Sequence, residues 1–307
     1  MMFKQKNYVS AVVYVRNDAN EIGNFLDMLY GVLNDNFESF EIICVNDASI
    51  DQSKEIIKKL INKFDKCKLS IVNMSYFSGR EAAMHAGVDF AIGDFVFEFD
   101  SILINYEPNL ILDVYNRSLE GFDIVSCGTS NTRIFSRLFY AIYNINTDSR
   151  SRLRNETFRI LSRRAINRIH SMSLTIPYRK ALYLNSGLEM DHIKYKPTKK
   201  GLNYGSSLKS SQDTALTTLI LYTDVAYKIT MFFAILMATL MLGFGIFTVY
   251  TYIVLDISEL GWAPIMGILS AGFCGVFLVL TIAIKYLDVL LKNSINKQAY
   301  LVSSIDK

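Results

Sequence analysis

The chain has 307 residues, of which 51% are hydrophobic and 20% charged, with a mean hydropathy of +0.22. That composition excludes a disordered tail protein, a collagen and a coiled coil, and it is more apolar than that of an ordinary soluble enzyme. A net charge of +3 gives no footprint for nucleic acid, and the four widely spaced cysteines, Cys44, Cys67, Cys127 and Cys274, form no CxxC pair that would indicate a metal or disulfide framework.

In chain order, Tyr8–Val15 is β-branched and aromatic and predicts a buried strand, followed by helical periodicity from Glu21 to Leu33. Phe40–Val45 predicts a second strand. Ser49 and Gln52 have capping-box spacing ahead of Ile56, Ile57, Leu60, Ile61 and Phe64. Strand Leu69–Val72, helix Arg80–Ala91, strand Phe95–Phe99, helix Asn109–Leu119 and strand Asp123–Cys127 continue the alternation. Strands alternating with helices of ten or more residues imply an α/β domain, a mostly parallel sheet with helices on both faces.

Beyond residue 220 the pattern changes. Ile229–Leu255 carries no charged side chain, and after Asp256–Gly261 a second uncharged run extends from Trp262 to Ile284. Each run exceeds the roughly 20 residues needed to cross a bilayer core, so a two-helix transmembrane hairpin is expected. The connector holds Asp256 and Glu259, while Lys228, Lys285, Lys292 and Lys297 flank the runs on the other side. The positive-inside rule then places the N-terminal domain and the C-terminal tail in the cytoplasm. Four segments are expected: 1–130 and 131–224 ahead of the apolar runs, 225–287 for the spans, and 288–307 as tail. Met1–Asn7 is followed by only a short apolar stretch, so export of the first 220 residues is not expected.

In parallel α/β sheets ligands bind outside the carboxyl ends of the strands. The segments there are Arg16–Asp18, Asn46–Asp51, Asn73–Arg80 and Asp100–Asn105, and neither GxGxxG nor GxxxxGK[ST] occurs. Asn17, Asp18, Asn46, Asp47 and Asp100 converge from three strand ends. Such side chains hydrogen-bond a base or ribose, or hold a divalent cation on a diphosphate. Asp47 can equally close the turn into the helix, and Gly79 and Arg80 can equally form a plain helix entry. Between Asn131 and His170 stand nine arginines against Asp148 and Glu156. This segment reads either as a phosphate-binding platform or as a basic face for anionic lipid. His85, His170 and His192 have no ligand spacing and read as structural or surface residues.

The ordered motifs resemble family-2 glycosyltransferases of the polyprenyl-phosphate type. Val15–Asp18 stands for the first-strand motif, and Val45-Asn46-Asp47-Ala48-Ser49-Ile50-Asp51 for VDDGSTD. Ser78–Met84 stands for FGKEAAL, Gly93-Asp94 for the GD before the fourth strand, and Thr157–Arg164 for DFRLLxRR. Lys285-Tyr286-Leu287 and Gln298–Val302 resemble the EYL…RPLYIV tail. The departures are Tyr14 for a proline, Thr157 for an acid, and Asp100-Ser101-Ile102-Leu103-Ile104 for DADLQ.

The resemblance implies a GT-A-like domain that moves a sugar, with inversion, from a nucleotide diphosphate sugar to a polyprenyl phosphate. It implies Asp100 and Arg159 as catalytic residues, with Asp100 holding Mg²⁺ or Mn²⁺. Asn17, Asp18, Asn46, Asp47, Gly79, Arg80 and Ser101 are implied around the nucleotide. Arg159, Arg163, Arg164, Lys199 and Lys200 are implied at the lipid phosphate. Membrane lipid is a further expected partner, nucleic acid is not, and the lipid-facing surface of two spans leaves room for a homo-oligomer. A catalytically degenerate relative, binding nucleotide sugar or acting as a scaffold, is the alternative, because Ile102 replaces the second metal-motif carboxylate. A transporter is disfavoured, since the two spans contain no charge.

Overall fold

The computed structural model describes residues 4–129 apart from 66, then 134–145, 152–172, 178–198, selected positions between 228 and 250, 262–294 and 300–307. Two compact units emerge: residues 1–214 together with 296–307, and residues 215–295.

The first unit is built on an eight-stranded sheet in the order β7-β5-β6-β4-β1-β2-β3-β8. Strands β1 (Val9–Val15), β2 (Phe40–Asn46), β3 (Lys68–Met74) and β4 (Phe95–Phe99) pair in parallel and occupy its centre. Helices α1 (Ile22–Asn36), α2 (Ser53–Ile61), α3 (Arg80–Phe90) and α4 (Leu110–Leu119) provide the crossovers. The expected elements are therefore present, with ends shifted by up to three residues. One start signal acts differently. Ser49 does not cap α2; instead Asp51 Oδ1 accepts hydrogen bonds from the Ser53 N–H and Oγ–H at 3.1 and 2.6 Å.

Both faces of the sheet are covered, which is why the central strands read as continuous apolar runs rather than alternating ones. Val9, Ala11, Val13 and Val15 face one core with Ile22, Phe25, Leu26 and Leu29 of α1. Val12 faces the other, with Ala83, Met84 and Ala86 of α3. At Gly87 of α3 a Cβ would come within 2.4 Å of Val12 Cγ1 and 2.5 Å of Val45 Cγ2, so the helix lies closer to the sheet than any side-chain-bearing residue allows.

The second half of the unit departs from simple alternation. After β5 (Ile124–Thr129) and α5 (Ile134–Ile145), β6 (Phe158–Ser162) inserts antiparallel between β4 and β5. Helices α6 (Arg163–Met172) and α7 (Arg179–Leu184) follow, and β7 (Met190–Tyr195) pairs in parallel with β5. Residues 158–195, expected as a separate acceptor-side segment, thus complete the sheet. The expected tail does likewise: β8 (Val302–Asp306) pairs antiparallel with β3 at the far edge.

The second unit contains α8 (Trp262–Ser294), a helix of 33 residues. Ile265, Phe273, Phe277 and Ile284 are exposed on it, as are Phe232, Ile235, Ile246 and Phe247 of the preceding segment. Taken over the described residues alone, no helix is long and apolar enough to cross a membrane. Several side chains within α8 lie outside the described set, and so does most of the first expected span.

Candidate active site

The carboxyl ends of β1 and β2 form one half of the site. Asn17 (φ 55°) and Ala48 (φ 52°) both adopt the left-handed backbone conformation just after these strands. Asparagine tolerates it by local hydrogen bonding, whereas alanine is strained there by roughly 1–2 kcal/mol. Ala48 stands where the VDDGSTD motif has glycine, the residue that adopts this conformation freely. The two loops are laced together. Asn17 Oδ1 accepts from the Ile50 N–H at 2.9 Å, the Asn17 N–H donates to Ser49 Oγ at 3.2 Å, and the Asp18 N–H donates to Ser53 Oγ at 2.9 Å. Asp18 Oδ2 accepts from the Arg16 N–H at 2.8 Å. Burial raises the Asp18 carboxyl above its ordinary range, against that hydrogen bond.

Asn46 and Asp47 organise what lies around them. Asn46 Nδ2 donates to Asn73 Oδ1 at 3.0 Å, and Asn46 Oδ1 accepts from the Ser49 N–H at 3.1 Å. Asp47 is fully buried. Its carboxylate accepts from the Tyr14 hydroxyl at 2.9 Å and from the N–H groups of Ser78 and Gly79 at 2.8 and 3.1 Å. It therefore pins the β3–α3 loop beneath the start of α3. Gly79 has φ 85°, which suits glycine at this turn. Arg80 follows as the first residue of α3, and its Nε is buried with no hydrogen-bond partner among the described residues. An unpartnered guanidinium N–H at a helix N-terminus is suited to an anion such as a diphosphate.

The other half is a buried charge cluster at the end of β4. Glu98 and Arg159 lie directly opposite in the β4–β6 ladder. Arg159 is 1% exposed and contacts Asp100 at 2.7 Å, Glu98 at 3.1 Å and Glu156 at 3.0 Å. The contact to Asp100 is a well-aligned hydrogen bond; those to Glu98 and Glu156 have ion-pair distance without hydrogen-bond alignment. Arg179, at the start of α7, is also 1% exposed and contacts Glu81, Glu98 and Asp100. The Tyr183 hydroxyl adds a hydrogen bond to Glu98 at 2.9 Å. Burial pushes the Asp100 carboxyl up, but Arg179 and Arg159 outweigh it and hold the group well below the usual carboxylate range, with Lys180 and Arg80 contributing in the same direction. Arg80 thus acts electrostatically on both halves.

Of the expected site residues, Asn17, Asp18, Asn46, Asp47, Gly79 and Arg80 gather at one strand-end cluster, and Asp100 and Arg159 form the other. Ser101 follows at its edge, its Oγ accepting from the Leu103 N–H at 3.3 Å. Arg159 and its neighbours differ from expectation: it turns inward onto carboxylates rather than outward to a phosphate. Arg163 and Arg164 lie at the opposite end of β6. There Arg163 donates to the Ala91 and Gly93 carbonyls, and the largely exposed Arg164 sits 3.5 Å from Asp123. The structure therefore does not bring these two to Asp100. Lys199 and Lys200 lie outside the described residues.

The expected divalent cation does not fit at Asp100. Both carboxylate oxygens are bound by guanidinium groups, and the next motif position is the buried Ile102. No step is routed through a cation there.

Arg179 and Tyr183 are members of the cluster that lie outside every sequence motif, and Glu81 lies within Ser78–Met84 without having been given a site role. Glu98 had a signal: a lone carboxylate in the otherwise apolar Phe95–Phe99 strand must find a partner if it is buried.

A mostly parallel sheet with helices on both faces, an antiparallel β6 inserted beside β4, and polar clusters at the strand ends define a GT-A-like nucleotide-sugar fold. Residues 10–181 match the family model described as glycosyl transferase family 2, and the chain belongs to that family. It is a glycosyltransferase.

Over 309 residues it is 26% identical to an uncharacterised glycosyltransferase of Synechocystis, covering 97% of this chain and 95% of that one. Over 125 residues it is 30% identical to undecaprenyl-phosphate 4-deoxy-4-formamido-L-arabinose transferase of Pseudomonas paraeruginosa, covering 41% of this chain and 36% of that one. The solved mannosyltransferase of Pyrobaculum calidifontis, in complex with GDP-mannose and Mn²⁺, shares the fold. Its TM-score is 0.51 at 13% identity, with 95% of this chain and 88% of that chain covered.

Proposed function

We propose that this glycosyltransferase moves a sugar, with inversion, from a nucleotide diphosphate sugar to a polyprenyl phosphate at the cytoplasmic leaflet. The observation that carries the donor side is Arg80, the first residue of α3: its Nε is buried with no hydrogen-bond partner among the described residues, and its guanidinium lies 5.9 Å from the Tyr14 ring of β1. Asn17, Asp18, Asn46 and Ser101 surround the nucleotide in this reading, Asp47 holds the β3–α3 loop in place from within the fold, and Gly79 lets the backbone approach the donor. The acceptor side is supported by the relatives named as undecaprenyl-phosphate transferases.

The reaction makes small demands on side chains. A phosphate monoester is already anionic at neutral pH, so the nucleophile needs no strong base. The protein must align donor and acceptor and oppose the charge that develops on the leaving diphosphate. Arg80 supplies part of that charge. Asp100 and Arg159 act as positioning residues that fix the charge cluster beneath the site. Transfer is read as direct displacement at the anomeric carbon: the bond to the diphosphate oxygen breaks as the bond to the acceptor phosphate oxygen forms.

Membrane attachment through residues 229–255 and 262–284 belongs to the same proposal. It is supported by the two uncharged runs, by the exposed apolar side chains of α8, and by the path of the chain. Because β8 pairs with β3 in the sheet of the first unit, a bilayer crossed between residues 214 and 296 is crossed an even number of times. Two crossings match the two runs, and in this reading residues 1–214 and 296–307 lie on one side.

The test is incubation of detergent-purified protein with polyprenyl phosphate and a panel of radiolabelled nucleotide sugars. Label entering the organic phase with one donor supports the proposal. Donor binding without transfer would identify a nucleotide-sugar-binding subunit instead.

A further inference from the structure

Away from the strand ends, α3 and α6 bring together three residues that look unrelated in the sequence. His85 and Asp89 stand one helical turn apart on α3, a spacing that places them on one face. His170 reaches them from the last turn of α6. His170 Nε2 lies 2.6 Å from Asp89 Oδ1, and His85 Nε2 lies 3.7 Å from Asp89 Oδ2. One ligand atom from each residue falls within 4.8 Å of the others. Among the described residues this is the one such group. The imidazole planes meet at 85° with centroids 5.8 Å apart.

We propose that His85, Asp89 and His170 form a binding site for a first-row divalent cation, best matched by Zn²⁺, separate from the donor site. Two imidazole nitrogens and one carboxylate oxygen are a donor set that favours Zn²⁺ over Mg²⁺, which takes oxygen ligands. The ligand–ligand separations suit atoms that each approach a common centre to about 2 Å after small side-chain adjustments.

The surroundings match what a metal site needs beyond its first ligands. The Tyr300 hydroxyl donates to Asp89 Oδ2 at 2.5 Å and so orients the carboxylate, as outer partners of metal ligands commonly do. A cavity of about 10 Å³ borders both histidines, room for about one water and thus for a fourth ligand. His170 is partly exposed, which leaves an entry path. A bound ion would clamp α3 to α6. Through Tyr300 it would also fasten the chain just before β8. Glu98 and Arg179 of the charge cluster line the same cavity.

The experiment uses the full-length protein, stripped with EDTA, dialysed and titrated with ZnCl2 by calorimetry. One equivalent should bind, with a rise of at least about 4 °C in the unfolding temperature. Co²⁺ in its place should give a visible absorption band of a low-symmetry N/O site. His85→Gln, Asp89→Asn and His170→Gln should each weaken Zn²⁺ binding by about tenfold or more. Tyr300→Phe should weaken it less, and His192→Gln should leave it unchanged. Absence of stoichiometric uptake by the wild type, or uptake undiminished in the His85→Gln/His170→Gln variant, would overturn the site. Neither outcome depends on sugar transfer.

Discussion

Arg179 binds Asp100 across 79 residues of sequence, joining the first residue of α7 to the end of β4. The guanidinium touches Glu81 and Glu98 as well, so a single side chain ties α3, β4 and α7 together at the end of the sheet where the donor is proposed to bind.

Removing that side chain leaves the buried Glu98 and Asp100 with only one of their two arginines. Arg179→Ala should therefore lose about 3–5 kcal/mol of unfolding free energy, measured by denaturant titration of the purified protein. Arg179→Lys should recover part of the loss, because an ammonium keeps the charge but cannot fork to three carboxylates. Arg164→Ala, at a largely exposed side chain, should cost little. Equal stability of all three variants would contradict the role given to the cluster.

The same pairing fixes the sign of a pH effect. The pKa of Asp100 is depressed in the folded state, so its contribution to stability is fully present above its unfolded value of about 3.9 and is lost as pH falls below that. As far as this group is concerned, unfolding free energy should stay flat from neutrality to about pH 5 and then decline. Asp100→Asn should be less stable than the wild type at pH 7 and show a shallower acid slope. Identical slopes below about pH 4 would show that the Asp100 carboxyl is not held by the two arginines.

Much of this architecture was legible in the sequence, for identifiable reasons. The central strands are buried on both faces, so Val9–Val15, Phe40–Asn46 and Phe95–Phe99 stand out as apolar runs whatever their neighbours. Strand β6 was hidden because its five residues include Arg159, whose partners Glu98 and Asp100 are remote in sequence. Strand β8 was hidden because it is a short edge strand with three exposed residues and no continuous apolar signal. The His85–His170 pairing left no trace in spacing, since it arises from two helices packing on the same sheet face. At the donor site, polar residues after each strand were readable by type. What each does was not, because Asp47 spends its carboxylate on the Ser78 and Gly79 amides rather than on solvent.

Ala48 offers a test of the strained loop. At φ 52° alanine is disfavoured where glycine is not. Ala48→Gly should therefore stabilise the protein by up to about 1 kcal/mol, the relief of strain less the added chain entropy. Thermal unfolding in matched buffer measures it. A destabilised variant would mean that the alanine methyl makes a compensating contact.

The membrane part of the proposal rests on residues 229–255 and 262–284. Protease added to sealed inside-out vesicles should digest the first unit, and right-side-out vesicles should protect it. Protection in both orientations, or release of the intact protein by carbonate wash, would contradict a cytoplasmic domain anchored by two spans.

The most direct test of the central claim is the mass of the lipid product. Purified protein, undecaprenyl phosphate and each nucleotide sugar of a panel are incubated together, and the organic extract is examined by mass spectrometry. The expected result is a lipid phosphate heavier by one glycosyl residue with at least one donor, formed by the wild type and much reduced in Arg80→Ala. Unmodified lipid with every donor would contradict the claim, and so would product formed undiminished when Arg80 is replaced.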